Sequence, residues 1–145
     1  MLRDDYIIRL IKQLAAFLAR MVSKRKAGDY DGAIAEAGKA WDDLVGQPPR
    51  DLVDVVDTHT LAELLKEPAK MRVAAQLLIE EGRSYAGKGD PAHATVMYRR
   101  AFELYLEARA IEPSDDDEAV IGELARLVPA NQLDERYRGG SYAGG

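Results

Sequence analysis

The chain has 145 residues, 47% of them hydrophobic, with a net charge of −5 and no cysteine. This length suits one domain with its own core, and the acidic balance argues against a nucleic-acid partner, which needs concentrated lysine and arginine. Disulfides and thiolate chemistry are excluded, and we expect a cytoplasmic protein, because the acidic start is unlike a signal peptide and no stretch of about 20 apolar residues is present.

The first predicted helix, at about residues 4–27, has an unusually wide apolar face. Ile7, Leu10, Leu14 and Phe17 lie on it, and the face exceeds the stripe of about 100° that a surface helix needs. We therefore expect helix one, with Trp41 of the next helix, to self-associate, most simply as a homodimer. A membrane surface is the less favoured partner for this amphipathic helix.

The remaining elements are also predicted to be helical, because apolar residues recur at spacings of three and four and never alternate with polar ones for long. Helices are expected at about residues 30–45, 57–67, 69–87 and 91–111, with a short helix or extended piece at 51–57. Another helix should begin near Ser114, and a short one should end near Tyr137. The sequence thus predicts an all-α domain of about six to eight helices over residues 1–137, followed by a flexible glycine-rich tail at 138–145.

An internal repeat stands out within this pattern. The dipeptide Gly28-Asp29 recurs 61 positions later as Gly89-Asp90. Glycine allows a left-handed turn between two antiparallel helices, and aspartate caps the second helix. Small residues that follow both turns let the helices approach closely; they are Ala33 and Ala40 after the first turn, and Ala94 and Ala101 after the second.

These two segments, at about residues 14–46 and 75–112, resemble tetratricopeptide repeats, which are helical hairpins of about 34 residues. The second segment has small and aromatic residues at the signature positions, namely Gly82, Tyr85, Gly89, Ala94, Tyr98 and Ala101. It departs from the pattern at Leu78, Glu81 and Leu106, and the first segment has Met21 and Lys24 where glycine and tyrosine are usual. The resemblance implies antiparallel helix pairs packed side by side.

The resemblance also implies a peptide-binding groove lined by the first helix of each pair. The positions that it assigns to this groove in the second segment are Gln76, Ile79, Arg83 and Ala86. The lysine–asparagine clamp that grips a terminal carboxylate in some members of the family is missing, since Ile79 and Arg83 occupy those places.

The chain also resembles a family of small bacterial proteins of unknown function. The shared features are a D-Y-x-x-R-x-I-x-Q start, an E-G-x-x-Y segment and an LYLEA-like stretch, found here at residues 5–13, 81–85 and 104–108. This likeness implies no activity.

No arrangement of side chains indicates catalysis, a cofactor or a metal. His59 and His93 lie in different segments without further ligand-type residues at metal-binding spacing. The acidic runs suit helix starts, and Glu81 is expected to pair with Arg99 or Arg100. The favoured function is a non-catalytic interaction module or scaffold. The alternatives are a self-assembling structural component that uses helix one and the tail, and a small-ligand binder or enzyme with a pocket between the last two long helices.

Overall fold

The computed structural model describes residues 2–139, and every regular element in that range is helical, with no strand among those residues. Its α-helices are α1 (Leu2–Lys26), α2 (Tyr30–Ala40), α3 (Thr58–Leu65), α4 (Pro68–Gly87), α5 (Pro91–Ile111) and α6 (Asp117–Leu127). A π-helical turn, Trp41–Val45, extends α2, and short 3-10 turns lie at Arg50–Asp54, Ala130–Gln132 and Glu135–Tyr137. The predicted all-α class is confirmed, and these elements pack into one compact core.

The two Gly-Asp dipeptides form the same turn twice. Gly28 and Gly89 have φ values of 83° and 90°, a left-handed conformation that favours glycine. The amides of Asp29 and Asp90 donate to carbonyls five residues earlier, at 2.8 and 2.9 Å, which satisfies the end of the preceding helix. Each aspartate then caps the next helix by accepting a backbone N–H three residues later, at 3.0 and 3.1 Å.

Helices α4 and α5 form the central pair. Gln76 bonds to Tyr105, and Arg72, nearer the start of α4, bonds to Glu112, just after the end of α5. The two helices are therefore antiparallel. At the turn end the rings of Tyr85 and His93 stack with centroids 3.7 Å apart. The inward positions predicted for α5 are buried; in particular, Ala94 and Ala101 are 2% and 0% exposed.

Helices α1 and α6 flank α4 and run in the same direction as it does. Arg72 and Arg83 of α4 bond to Asp117 and Glu123 of α6, so both helices advance together. On the other side, Arg25 near the end of α1 bonds to Glu80 of α4. The charge of Glu67, just before α4, acts on Tyr6 near the start of α1. Helix α4 therefore packs against α1, α2 and α5, and ion pairs join it to α6.

The apolar face of α1 differs from the prediction. Leu10, Leu14 and Phe17 are buried in the core of the same chain, and Ile7 is half-buried. Trp41 is 0% exposed and donates its Nε1–H to the carbonyl of Pro48 at 2.8 Å. These side chains form the core of the chain itself because α2 and α4 pack on that side of α1, so they are not free for self-association.

The C-terminal part of the domain is also tied to the core. Leu133 and Tyr137 are buried, although only short 3-10 turns carry them. Of the predicted tail, residues 140–145 lie outside the described range. No helix within the described range is long and apolar enough to cross a membrane.

Candidate functional site

The predicted groove residues Gln76, Ile79 and Arg83 lie on one side of α4. Glu80, which was not predicted to line the groove, lies among them, and we define these four residues as the α4 face. Their spacings of three, four and seven residues place them together along the helix. Arg83 and Gln76 are half-buried, whereas Ile79 is fully buried. Gln76 donates its amide to the hydroxyl of Tyr105 at 2.5 Å. Ala86, the fourth predicted position, is exposed. Three of the four predicted groove residues are thus accessible, and Ile79 belongs to the floor beneath them.

A chain of ion pairs crosses the α4 face and joins three helices. Arg25 of α1 donates to Glu80 at 3.2 Å, and Glu80 accepts a second bond from Arg83 at 2.6 Å. Arg83 continues the chain to Glu123 of α6, also at 2.6 Å. Glu80 is buried, whereas the side chains of Arg83 and Glu123 are 35% and 42% exposed. The chain is therefore fixed at its inner end and open to water at its outer end.

The electrostatics of Arg83 follow from these partners. Burial alone would lower its pKa, but the hydrogen bonds and charges of Glu123 and Glu80 raise the pKa above its ordinary value. Glu80 fixes one edge of the guanidinium, and the other edge points toward the exposed carboxylate. A carboxylate from another molecule can replace Glu123 at that edge without disturbing the inner bond.

Five carboxylates are buried on α4, α5 and the start of α6, and every one of them has a hydrogen-bonded partner. They are Glu80, Glu81, Glu103, Glu107 and Asp117. Each fastens a peripheral segment to the central pair or joins α4 to α6. Burying an unpaired charge is costly, so this complete pairing identifies the five acids as structural connections.

Glu81 shows this arrangement most clearly and corrects a prediction. Its partner is Arg50 in the 3-10 turn, which binds it with two hydrogen bonds of 2.9 and 3.0 Å, and neither Arg99 nor Arg100 reaches it by a hydrogen bond. Burial would lower the pKa of Arg50, but the hydrogen bonds and charge of Glu81 raise it above its ordinary value. The Arg50–Asp54 turn is held to α4 by this pair.

A second polar cluster ties α3 and the C-terminal turns to α5. Glu107 accepts a hydrogen bond from the Tyr137 hydroxyl at 2.6 Å and lies 3.0 Å from Nδ1 of His59. One turn earlier, Glu103 accepts from the hydroxyl of Thr58 at 2.5 Å and from the amide of Asp134 at 2.8 Å. The bonds to Asp134 and Tyr137 hold the C-terminal segment, in which the only helical elements after α6 among the described residues are 3-10 turns of three residues.

An open cleft of about 340 Å³ lies beside this cluster. Its lining consists of Thr58, His59, the neighbouring Asp57 and residues 134–137. Both ring nitrogens of His59 lie close to carboxylates, Nδ1 to Glu107 and Nε2 to Glu63 at 3.3 Å. Among the described residues no group of three or more metal-ligand side chains converges. The imidazole of His59 and the hydroxyl of Tyr137 in this cleft are therefore already bound to carboxylates.

Sequence reasoning missed Arg50, Glu103, Glu107 and Tyr137. The sequence contained a signal for the two glutamates, because Glu103 and Glu107 are the only charged residues between Ala101 and Ala108 and their apolar neighbours surround the helix. In the structure every residue of this stretch is buried. Acids within such a stretch must be buried and therefore paired. Nothing in the local sequence around Arg50 or Tyr137 marks them as the partners.

The chain matches no protein-family model, and no curated protein or solved structure is significantly similar to it. The assignment of a function therefore depends on the arrangement of the residues described above.

Proposed function

We propose that the chain is a non-catalytic protein–protein interaction module built from two tetratricopeptide-like helix pairs, with the α4 face as its partner-binding surface. The repeated Gly-Asp turn supports the likeness, as does the parallel course of α1, α4 and α6. In such arrays the first helices of successive pairs lie side by side and present one continuous surface. A cytoplasmic location is part of the proposal, in keeping with the cysteine-free composition.

The observation that carries the proposal is the half-exposed Arg83. Its inner edge is oriented by the buried Glu80, and its outer edge pairs with the exposed Glu123. A pre-oriented guanidinium of this kind suits a carboxylate on a partner protein, because the Arg83 side chain then loses little conformational entropy on binding. The expected partner segment is acidic, with polar groups that can reach Gln76.

The pairing of the buried acids favours this function over an enzyme. General acid–base catalysis requires a carboxyl or imidazole group that can reach a substrate in a cleft. Glu107 and Glu103 instead direct their oxygens to Tyr137, Thr58 and the backbone of the last turns. Breaking those bonds to free a catalytic group would also detach the segment that they hold.

The proposal is tested by photo-crosslinking in cells of the source organism. A crosslinking amino acid at Ala86, exposed at the end of α4 on the groove side, should capture a partner protein. The same probe at Val96, exposed on α5, is the matched control. Adding Arg83→Glu should abolish capture at Ala86, because it places an acid where the partner's carboxylate would bind. Equal capture from both positions, or capture that survives Arg83→Glu, would refute the assignment.

A further inference from the structure

A second surface, separate from the α4 face, remains uncovered on α1. Ile8 and Ile11 are 52% and 57% exposed, which is unusual for isoleucines in a helix that also contributes to the core. Ala15 is exposed one turn later, and Leu18 and Val22 are half-buried. Together Ile8, Ile11, Ala15, Leu18 and Val22 form what we call the outer stripe of α1.

The spacing of the outer stripe indicates a helical partner. Its residues follow one another at intervals of three, four, three and four, which is the spacing of a coiled-coil seam. The stripe is about 21 Å long at the rise of an α-helix. It is also narrow, because the exposed Lys12 borders it on one side and the buried Leu10 and Leu14 border it on the other. A helix that lies on a lipid surface needs a broader apolar face, so the narrow stripe favours a second helix over a membrane.

The charges at the two ends of α1 identify that second helix as another copy of α1. The first turn of α1 carries Asp4 and Asp5, and its last turn carries Lys24, Arg25 and Lys26. Lys24 and Arg25 pair with Glu36 and Glu80 of the same chain, whereas Lys26 is exposed. Two copies side by side in the same direction would bring like charges together at both ends. Two antiparallel copies would place the acidic start of one beside the basic end of the other, and would also oppose their helix dipoles favourably.

We infer that the chain forms a two-fold symmetric homodimer through the outer stripe, with the two α1 helices antiparallel and crossing at Ala15. The small side chain of Ala15 lets the helices approach at the axis. Ile8 and Val22 each lie seven residues from Ala15, so Ile8 of one copy meets Val22 of the other. Asp5 then lies near Lys26 of the other copy, and both of these side chains are exposed.

The first test measures mass by light scattering across the micromolar range, using the full chain. The wild type should show a concentration-dependent dimer, because a single pair of helices buries less area than a standard interface. Ile11→Glu should weaken the dimer by roughly tenfold or more, because it would bury a charge in the seam. Val55→Glu is the matched control, since Val55 is 75% exposed outside α1, and it should have no effect. A wild type that remains monomeric would overturn the inference.

The second test determines the orientation, using the absence of native cysteine. A mixture of Ile8→Cys and Val22→Cys chains should form an intermolecular disulfide under mild oxidation. Ile8→Cys alone should not, because its two copies would lie about 21 Å apart, far beyond disulfide reach. Efficient cross-linking of Ile8→Cys with itself would contradict the antiparallel arrangement.

The third test separates dimerisation from lipid binding and checks the role of charge. Asp5→Lys and Lys26→Asp should each weaken the dimer, and mixing the two variants should restore it, because every end contact then joins opposite charges. Vesicles of phosphatidylserine and phosphatidylcholine provide the lipid comparison. The inference would be overturned if the chain stays monomeric in solution and binds these vesicles only when Ile8 and Ile11 are present. The outer stripe would then bind a membrane surface.

Discussion

At the scale of single residues, the central helix pair depends on a glycine that admits an aromatic ring. A Cβ atom added to Gly82 would lie 2.6 Å from a carbon of the Tyr98 ring, closer than real side chains approach. Both residues are buried, so neither can move aside without shifting its neighbours. The tetratricopeptide likeness had placed both residues at signature positions, and the structure supplies a packing reason for these two.

Gly82→Ala should therefore destabilise the fold by about 1–3 kcal/mol, the usual effect of overpacking a dense core. Gly122→Ala is the matched control, because Gly122 lies in α6 with nothing within 4 Å of the added carbon. It should stabilise the fold by about 0.5–1 kcal/mol through helix propensity alone. Chemical denaturation measures both changes, and equal effects of the two substitutions would contradict the packing argument.

Tyr105 gives a prediction for alkaline pH. Burial raises its pKa to about 12, from an ordinary value of 10.0, although the hydrogen bond from Gln76 lowers it. The unfolded chain loses the Tyr105 proton near pH 10, and the folded chain loses it only near pH 12. The contribution of Tyr105 to the free energy of unfolding is therefore complete below pH 10 and is lost as the pH rises to 12. That contribution is about 3 kcal/mol.

Tyr105→Phe should remove this part of the alkaline destabilisation. Unfolding free energies measured between pH 9 and 12 should fall less steeply with pH for the variant than for the wild type. In a pH titration followed by tyrosinate absorbance, the variant should also lack the ionisation step with the highest pKa. Identical slopes for the two proteins would show that Tyr105 titrates normally in the fold.

At this scale the sequence could predict which residues of a helix face inward, but not which side chains pair with one another. Periodicity indicated which residues of α5 face inward, because it depends only on the local helix. The partner of Glu81 could not be predicted, because Arg50 reaches it from a short turn 31 positions away in the chain. Such a contact depends on where a loop packs, and local patterns carry no information about that.

At the scale of elements, α1 shows the same limit. The sequence predicted one broad apolar face, whereas the structure divides it into a buried stripe that contains Leu10, Leu14 and Phe17 and the exposed outer stripe. Both stripes have the same spacing and similar composition. The choice between them depends on where α2 and α4 pack.

The turns at Gly28 and Gly89 were predictable because a left-handed glycine and a capping aspartate are local features.

Buried acids hold the short elements in place, and Glu81 allows a direct test. Glu81→Gln should destabilise the fold by about 3 kcal/mol, because Arg50 would be left half-buried without a full counter-charge. The Arg50–Asp54 turn should then exchange its amide protons faster. Asp31→Asn is the matched control, since Asp31 pairs with Lys88 on the open surface, and it should leave the denaturation midpoint unchanged. A similar midpoint for both variants would show that the Glu81 pair is not a structural connection.

At the scale of the whole molecule, α4 and α5 form a centre whose buried acids bind α1, α3, the first 3-10 turn and the C-terminal turns by hydrogen bonds and ion pairs. Glu80 and Glu81 hold α1 and the first 3-10 turn, and Glu103 and Glu107 hold α3 and the C-terminal turns. We propose that two surfaces outside this centre contact other molecules, the α4 face a partner protein and the outer stripe a second copy.

The affinity of the captured partner for the wild type and three variants tests the central claim, that Arg83 of the α4 face binds an acidic segment. Glu123→Ala should bind up to about fivefold more tightly, because it removes an internal competitor held by a surface ion pair. Arg83→Glu should bind roughly tenfold more weakly or worse. Glu118→Ala, which removes another exposed acid of α6, should bind like the wild type. Equal affinities for wild type, Glu123→Ala and Arg83→Glu would contradict the claim.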